Sequence, residues 1–297
     1  MSLPPHIKNA SDLVTSKESV TQGFINQAKD KVRLASSHVE NSRKLRRILE
    51  SINDPASALK DLGIRENLLS AVGLSAKALG HLSISEREQI LSQVLIEVCK
   101  EAGEDWKDEL VFRCTLTAGD SLGGTSRNLS GVQAKNLFAG AIEDSLKGMN
   151  ETITISLSKK GGRDIESLMW ADRLMVFDKK PDIVDKNIDV IVLENDGTSS
   201  TREILARKNN YIACGEVKGG IDPAGADEHW KTANSALDRV RSSFGLQRPA
   251  LFFAAAAIAP KMALEIVSQL RDNRLTYAAN LTNSTQVKDL ADWLVSL

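Results

Sequence analysis

Two apolar runs, Asn187-Ile188-Asp189-Val190-Ile191-Val192-Leu193 and Tyr211-Ile212-Ala213-Cys214-Gly215-Glu216-Val217-Lys218, constrain this chain more than any other feature. Each is short, rich in apolar or β-branched residues, and reads as a buried strand. Successive strand side chains point to opposite faces and rise roughly 3.3 Å each, so Glu216 and Lys218 share a face about 7 Å apart while Val217 turns to the core. Charges buried in such strands are costly unless a metal or a partner neutralises them. On adjacent strands, Asp189 and Glu216 could hold a hard divalent cation, with Lys218 beside an attacking water or a scissile phosphate. Taken singly the signals are ordinary: a Glu-x-Lys pair often faces solvent, and an Asp at a strand start is often a cap. Their combination on two otherwise apolar strands points to phosphodiester hydrolysis.

The rest of the chain fits that reading. At 297 residues with 42% hydrophobic content, it can bury one large core, or a catalytic core with a smaller partner domain. No apolar run reaches the roughly 18 residues of a membrane span, and Ala250 to Ala259 is better read as a buried strand. The start, Met1-Ser2-Leu3-Pro4-Pro5-His6, lacks a basic segment followed by an apolar one, so cytoplasmic residence is expected. Cys99, Cys114 and Cys214 are widely spaced and odd in number, which suits a reducing compartment. With His6, His38, His81 and His229 equally scattered, no zinc pattern forms.

The formal charge of −1 excludes a protein that coats nucleic acid by bulk positive charge. Any DNA-binding face must be assembled from local clusters. Arg43 to Arg47, Lys159 to Arg163, Arg202 to Lys208 and Arg239 to Arg248 are candidates, although each could equally be a solvated surface.

Residues 16–101 have helical spacing, punctuated by Pro55, Gly63, Gly73 and Gly80 into about four helices. In the clearest, Ser83 to Lys100, Ser85 stands before Glu86 and Glu88, and Ile90, Leu91, Val94, Leu95 and Val98 form a stripe. After Gly103 the texture changes. Val111 to Thr117, Ile153 to Leu157, Leu174 to Phe177, Ile188 to Leu193, Tyr211 to Val217 and Ala250 to Ile258 have strand character. Helical stretches are expected at Gly131 to Leu146, Ala226 to Phe244, Pro260 to Arg271 and Thr285 to Leu297, with Pro260 suited to a first helical position. The polar stretch Glu194 to Asn210 reads as an exposed excursion. The expected fold is α/β: a mixed central β-sheet flanked by helices over residues 106–297, preceded by an N-terminal helical subdomain over residues 1–105.

Two glycine-rich segments add candidate contacts. Gly219-Gly220-Ile221-Asp222-Pro223 leads into a helix whose amino end could receive a phosphate, and His229 on its first turns could accept a proton or hold a phosphate oxygen. The plainer reading is a strand-to-helix connection capped by Asp222 or Asp227, with Trp230 in the core. Thr117 to Gly131 reads as a loop in which backbone amides and Arg127, followed by Asn128, could contact phosphate. It matches no Walker or dinucleotide fingerprint.

The run from Glu216-Val217-Lys218-Gly219-Gly220-Ile221-Asp222-Pro223 through Asp227-Glu228-His229-Trp230-Lys231, with Asp189 upstream, resembles type II restriction endonucleases of the PD-(D/E)xK superfamily, most closely the AvaI and BsoBI group. The likeness is specific over this segment and architectural elsewhere. It implies a restriction-endonuclease-like core, Mg²⁺ held by Asp189 and Glu216, and Lys218 completing the site. It also implies His229 beside the scissile phosphate as a candidate general base. Lys186 and Asp222 would reach base edges in the major groove, which suits a G·C-rich site, with Lys231, Arg127 and Asn128 as further DNA contacts. Double-stranded DNA is the implied substrate and a homodimer the implied assembly, each subunit reading half a palindrome.

One departure stands out: the literal Pro-Asp pair is Pro181-Asp182, seven residues before Asp189. Asp189 is preferred because it opens the apolar strand, with Asp182 and then Asp185 as substitutes. Rival functions are a repair or junction-resolving nuclease of the same fold, a non-catalytic DNA-binding module, and a small-molecule enzyme using the glycine segments for phosphate.

Overall fold

The computed structural model describes residues 3–158 and 164–297, so the basic cluster Lys159 to Arg163 lies outside the described residues. The chain forms two compact units, one comprising Met1–Ile25 with Leu129–Leu297 and the other Asn26–Asn128.

The first unit is built on a mixed seven-stranded sheet, with strand order following the chain: β1 (Ile153–Leu157), β2 (Ile165–Trp170), β3 (Arg173–Lys179), β4 (Ile188–Glu194), β5 (Tyr211–Lys218), β6 (Ala250–Ala255) and β7 (Tyr277–Asn280). Neighbours are antiparallel from β1 through β5, and parallel from β5 to β7. The change occurs at β5, because α8 (Pro223–Phe244) and α9 (Pro260–Arg271) carry the chain back across the sheet before β6 and β7.

Alternation along β4 decides which layer each side chain joins. Ile191 and Leu193 enter a core with Trp230, Ala233 and Leu237 of α8 and Ile266 of α9. Val190 and Val192 enter the opposite core, with Phe138 and Ile142 of α6 (Trp106–Gly148) and Leu290 and Leu294 of α10 (Ser284–Val295). Fully burying each such side chain is worth about 1.5–3 kcal/mol, enough for β4 to carry a carboxylate at its start.

The amino-terminal residues belong with this sheet. The His6 ring bridges the Ala278 carbonyl (2.9 Å) and the Asp289 carboxylate (3.2 Å). Asn280 donates to the Leu13 carbonyl (2.9 Å), Gln286 donates to Asp12 (2.6 Å), and the Thr15 hydroxyl donates to the Ala256 carbonyl (2.9 Å) while accepting from the Ile258 amide (2.8 Å). This arm leads directly into α1 (Lys17–Glu50).

The second unit is helical. It contains α2 (Pro55–Lys60), α3 (Arg65–Ala71), α4 (Ala76–Leu79) and α5 (Ile84–Ala102), with parts of α1 and α6. Leu45 and Leu49 pack with Leu68, Leu91, Leu95, Trp106 and Leu110. Ser83, not Ser85, is the N-cap of α5, and it forms a reciprocal capping box with Glu86.

Some local expectations give way here. Val111 to Thr117 is not a strand and Thr117 to Gly131 is not a loop: both lie within α6, which also absorbs Gly131 to Leu146. Trp106, Leu110 and Cys114, four apart, bury one helical stripe, and Ala134, Phe138, Ile142 and Leu146 bury another, so packing overrides local propensity. The excursion 194–210 includes a short helix, α7 (Thr201–Leu205), which buries Ile204. β2 and β7 were not evident from sequence. Cys99, Cys114 and Cys214 are all free and buried.

Candidate active site

The pairing of Val190 with Gly215 in the β4–β5 ladder brings Asp189 and Glu216 together one residue further on. Lys218 Nζ lies 2.7 Å from Asp189 Oδ2 and 2.7 Å from Glu216 Oε2. The Val217 amide also donates to Asp189 Oδ2 (2.9 Å), and the Asp189 amide reaches Glu216 Oε1 at 3.4 Å. Two strands thus contribute three ionisable groups, with Asp189 held by the backbone amide of Val217.

The environment of this cluster is dry on one side. Glu216 is 2% exposed, and its register partner on β6 is Phe253, which packs edge-on against Trp230 of α8 at 5.0 Å. Burial pushes the Glu216 carboxyl up to about 8; the Asp189 charge adds to the rise, and Lys218 opposes it. For Lys218, burial disfavours the ammonium, but Glu216 and Asp189 outweigh it and hold the amine above the usual lysine range.

These shifts give stability a definite pH dependence. Glu216 ionises near 4.3 in an unfolded chain but near 8 in the metal-free fold. Between those values the folded state holds the extra proton, so this residue's contribution is full below about pH 4 and falls as pH rises to about 8. The melting temperature of the metal-free protein should therefore decline relative to Glu216→Gln between about pH 5 and pH 8. Parallel melting curves for the two proteins would contradict it.

The segment after Lys218 is tightly enclosed. A Cβ at Gly219 would fall 2.2 Å from the Ser130 carbonyl oxygen and 2.7 Å from the Ala134 Cβ, both on α6. At Gly220 it would fall 2.8 Å from His229 Nε2. A side chain at Gly219 would collide with the α6 backbone, whereas one at Gly220 would displace the His229 ring. Asp222 then caps α8, accepting from the Ala224 amide (2.9 Å), and Pro223 takes the first helical position. His229 is exposed on the second turn of α8, with its imidazole against Gly220.

Asp182 is exposed in the turn before β4, and Asp185 pairs with Lys180 (2.7 Å), so Asp189 is the carboxylate that meets Glu216 and Lys218. Lys186 is half-buried just before β4, and Lys231 is exposed on α8, paired with Asp227 (2.5 Å). Arg127 and Asn128 are exposed on α6 in the helical unit, not on a loop. Sequence reasoning missed Asp178, which stands on β3 between the pairs Phe177–Val190 and Lys179–Ile188, alongside Asp189. Its positive φ of 52° turns the carboxylate to Lys135 of α6 (2.7 Å). Nothing in its sequence context marks that left-handed backbone.

The residues suit a hard divalent cation. Two carboxylates from different strands face a common ammonium, and burial together with the Asp189 charge, which raise Glu216, disfavours a second negative charge that a cation would stabilise. Among the described residues no group of three or more His, Cys, Asp or Glu gathers to form a complete protein cage. A two-carboxylate site finished by water and phosphate oxygens is typical of Mg²⁺ and unlike zinc.

Comparison with known proteins gives one consistent result. A family model described as restriction endonuclease BsobI matches residues 4–297. Type II restriction enzyme AvaI of Nostoc sp. (strain PCC 7120 / SAG 25.82 / UTEX 2576) is 39% identical over 310 residues, covering 98% of this chain and 98% of the relative, and the enzyme of the same name from Anabaena variabilis matches equally. Type II restriction enzyme BsoBI of Geobacillus stearothermophilus is 34% identical over 319 residues, covering 98% and 97%.

Proposed function

The chain belongs to the restriction endonuclease BsobI family, and from that premise we propose that it is a Mg²⁺-dependent type II enzyme that hydrolyses double-stranded DNA at a short, G·C-rich palindrome. The observation that carries the reading is the convergence of Lys218 Nζ on Asp189 and Glu216 from two adjacent strands. Asp189 and Glu216 would hold Mg²⁺. When bound, the ion supplies Lewis-acid stabilisation of the charge that builds on the phosphate and the leaving oxygen.

The chain's own residues do the rest. Lys218, fixed by two carboxylates, orients the attacking water and offsets charge on a phosphate oxygen. His229, exposed at the mouth of the glycine segment, takes the proton from that water. The apolar Phe253 and Trp230 keep bulk water from the Glu216 side. Lys186 and Asp222 read base edges: lysine donates to guanine, and Asp222, with one oxygen committed to the α8 cap, accepts from a cytosine amino group through the other. Lys231, Arg127 and Asn128 contact the phosphate backbone. A homodimer would place two such sites on the two strands of a palindrome.

Incubation with a long natural DNA and Mg²⁺ tests the proposal. Discrete bands, absent with EDTA, are expected, and mapping their ends supplies the site. A metal-dependent smear or preference for branched DNA would instead indicate a nuclease reading shape, and intact DNA would defeat the proposal. The general-base role has its own check. His229→Ala should slow single-turnover cleavage about 100-fold while DNA affinity holds. A change of only a few fold would leave water activation to Lys218.

A further inference from the structure

Glycine inside a helix is less favourable than alanine, because it gives up more freedom on folding. The glycines of α6 at positions 119, 123, 124, 131 and 140 leave open space where a Cβ would lie. Gly23 of α1 is different. A Cβ there would lie 2.2 Å from Ile221 Cγ1, and 3.0 Å from both Cβ and Cγ2 of the same residue. Ile221 is 5% exposed and β-branched, so it has little freedom to turn aside. The missing side chain on α1 is a notch, and Ile221 fills it.

Ile221 stands in the four-residue link between Lys218 and α8. Gly219 is held against Ser130 and Ala134 of α6, Gly220 backs onto the His229 ring, and Asp222 caps α8. The seat on Gly23 adds a contact from α1 to that link, between Gly219 and the Asp222 cap.

We propose that Gly23 is a positioning residue for DNA cleavage: by receiving Ile221, α1 sets the spacing between Lys218 at the end of β5 and His229 on α8. This inference rests on the nuclease reading above, and its test separates the two.

The experiment compares wild type, Gly23→Ala, Ile221→Ala, the double variant and Gly140→Ala. For each it measures single-turnover cleavage of a duplex bearing the mapped site in saturating Mg²⁺, affinity for the same duplex with Ca²⁺ replacing Mg²⁺, and the melting temperature. A misplacement of about 1 Å at reacting groups can cost about 100-fold in rate. Gly23→Ala should therefore cleave roughly 10- to 100-fold more slowly with DNA affinity within a few fold of wild type. It should also melt lower, whereas Gly140→Ala, with open space around it, should melt higher. Ile221→Ala removes Cγ1, the atom nearest the new methyl, together with Cγ2, and leaves Cβ at 3.0 Å, so the double variant should recover a large part of the rate lost by Gly23→Ala.

Wild-type rates in Gly23→Ala, single losses that simply add, or a loss confined to DNA affinity would each overturn the proposal. A wild-type chain that cuts no DNA would defeat the nuclease reading instead. In that case coupling in melting temperature across the four proteins would still support the Ile221 seat, and additive shifts would dismiss it.

Discussion

Glu216→Gln should lower the cleavage rate roughly a thousandfold while leaving the protein as stable as wild type or more so at pH 8. Most buried substitutions trade in the opposite direction. Here the carboxyl is 2% exposed beside Phe253, and its ionisation is disfavoured by burial and by Asp189. The amide oxygen can still accept from Lys218, at the cost of the longer 3.4 Å contact from the Asp189 amide, and it carries no charge, so the fold loses a repulsion along with an attraction. On the proposed reading, the reaction loses a metal ligand. Single-turnover cleavage, melting at pH 8 and a gel shift on the same duplex check the three parts together. A variant that melts markedly lower and still cuts would show that Glu216 is structural.

The second large effect is at Lys218. Lys218→Met should destabilise the metal-free protein by up to about 3–5 kcal/mol once the pH exceeds about 8, because the ionised Glu216 and Asp189 carboxylates then lack their shared ammonium. Cleavage should fall by a similar factor to that in Glu216→Gln. Mg²⁺ should restore part of the lost stability, since it supplies positive charge to the same oxygens, yet restore little activity. Lys218→Arg should not rescue cleavage: a planar fork cannot occupy a point between two oxygens that each lie 2.7 Å from one nitrogen. Denaturant titrations with and without Mg²⁺, run beside cleavage assays, measure both. Equal stability of Lys218→Met and wild type without metal would contradict the view that this ammonium holds the carboxylates together.

The cluster of Asp189, Glu216 and Lys218 was legible because its charges interrupt a simple pattern. They stand out only against strands that are otherwise apolar, and period-two alternation placed Glu216 and Lys218 on one face, with Asp189 on an adjacent strand. The α9 helix was readable for a related reason, since Pro260 marks its first position, whereas α8 begins at Pro223, three residues before the expected Ala226. The 43-residue α6 was not. Its β-branched start and its glycines favour strand and loop locally, and the stripes that hold it as a helix are defined by partners distant in sequence. β2 and β7 were missed because only their neighbours in the sheet distinguish such short runs from ordinary coil. The left-handed backbone of Asp178 and the notch at Gly23 are likewise products of packing, visible only once β3, α1 and the 219–222 link have been placed.

The amino-terminal arm has a consequence for the order in which the enzyme matures. Its hydrogen-bond partners, from Ala256 to Asp289, are made late in translation. A ribosome that has finished β5 has already exposed Asp189, Glu216 and Lys218, but the arm has nowhere to dock, and α1, which follows it directly, has no anchor at its start. The arm can dock only after β7 and α10 emerge. A chain ended after β5 would carry Asp189, Glu216 and Lys218 with its first residues still unseated.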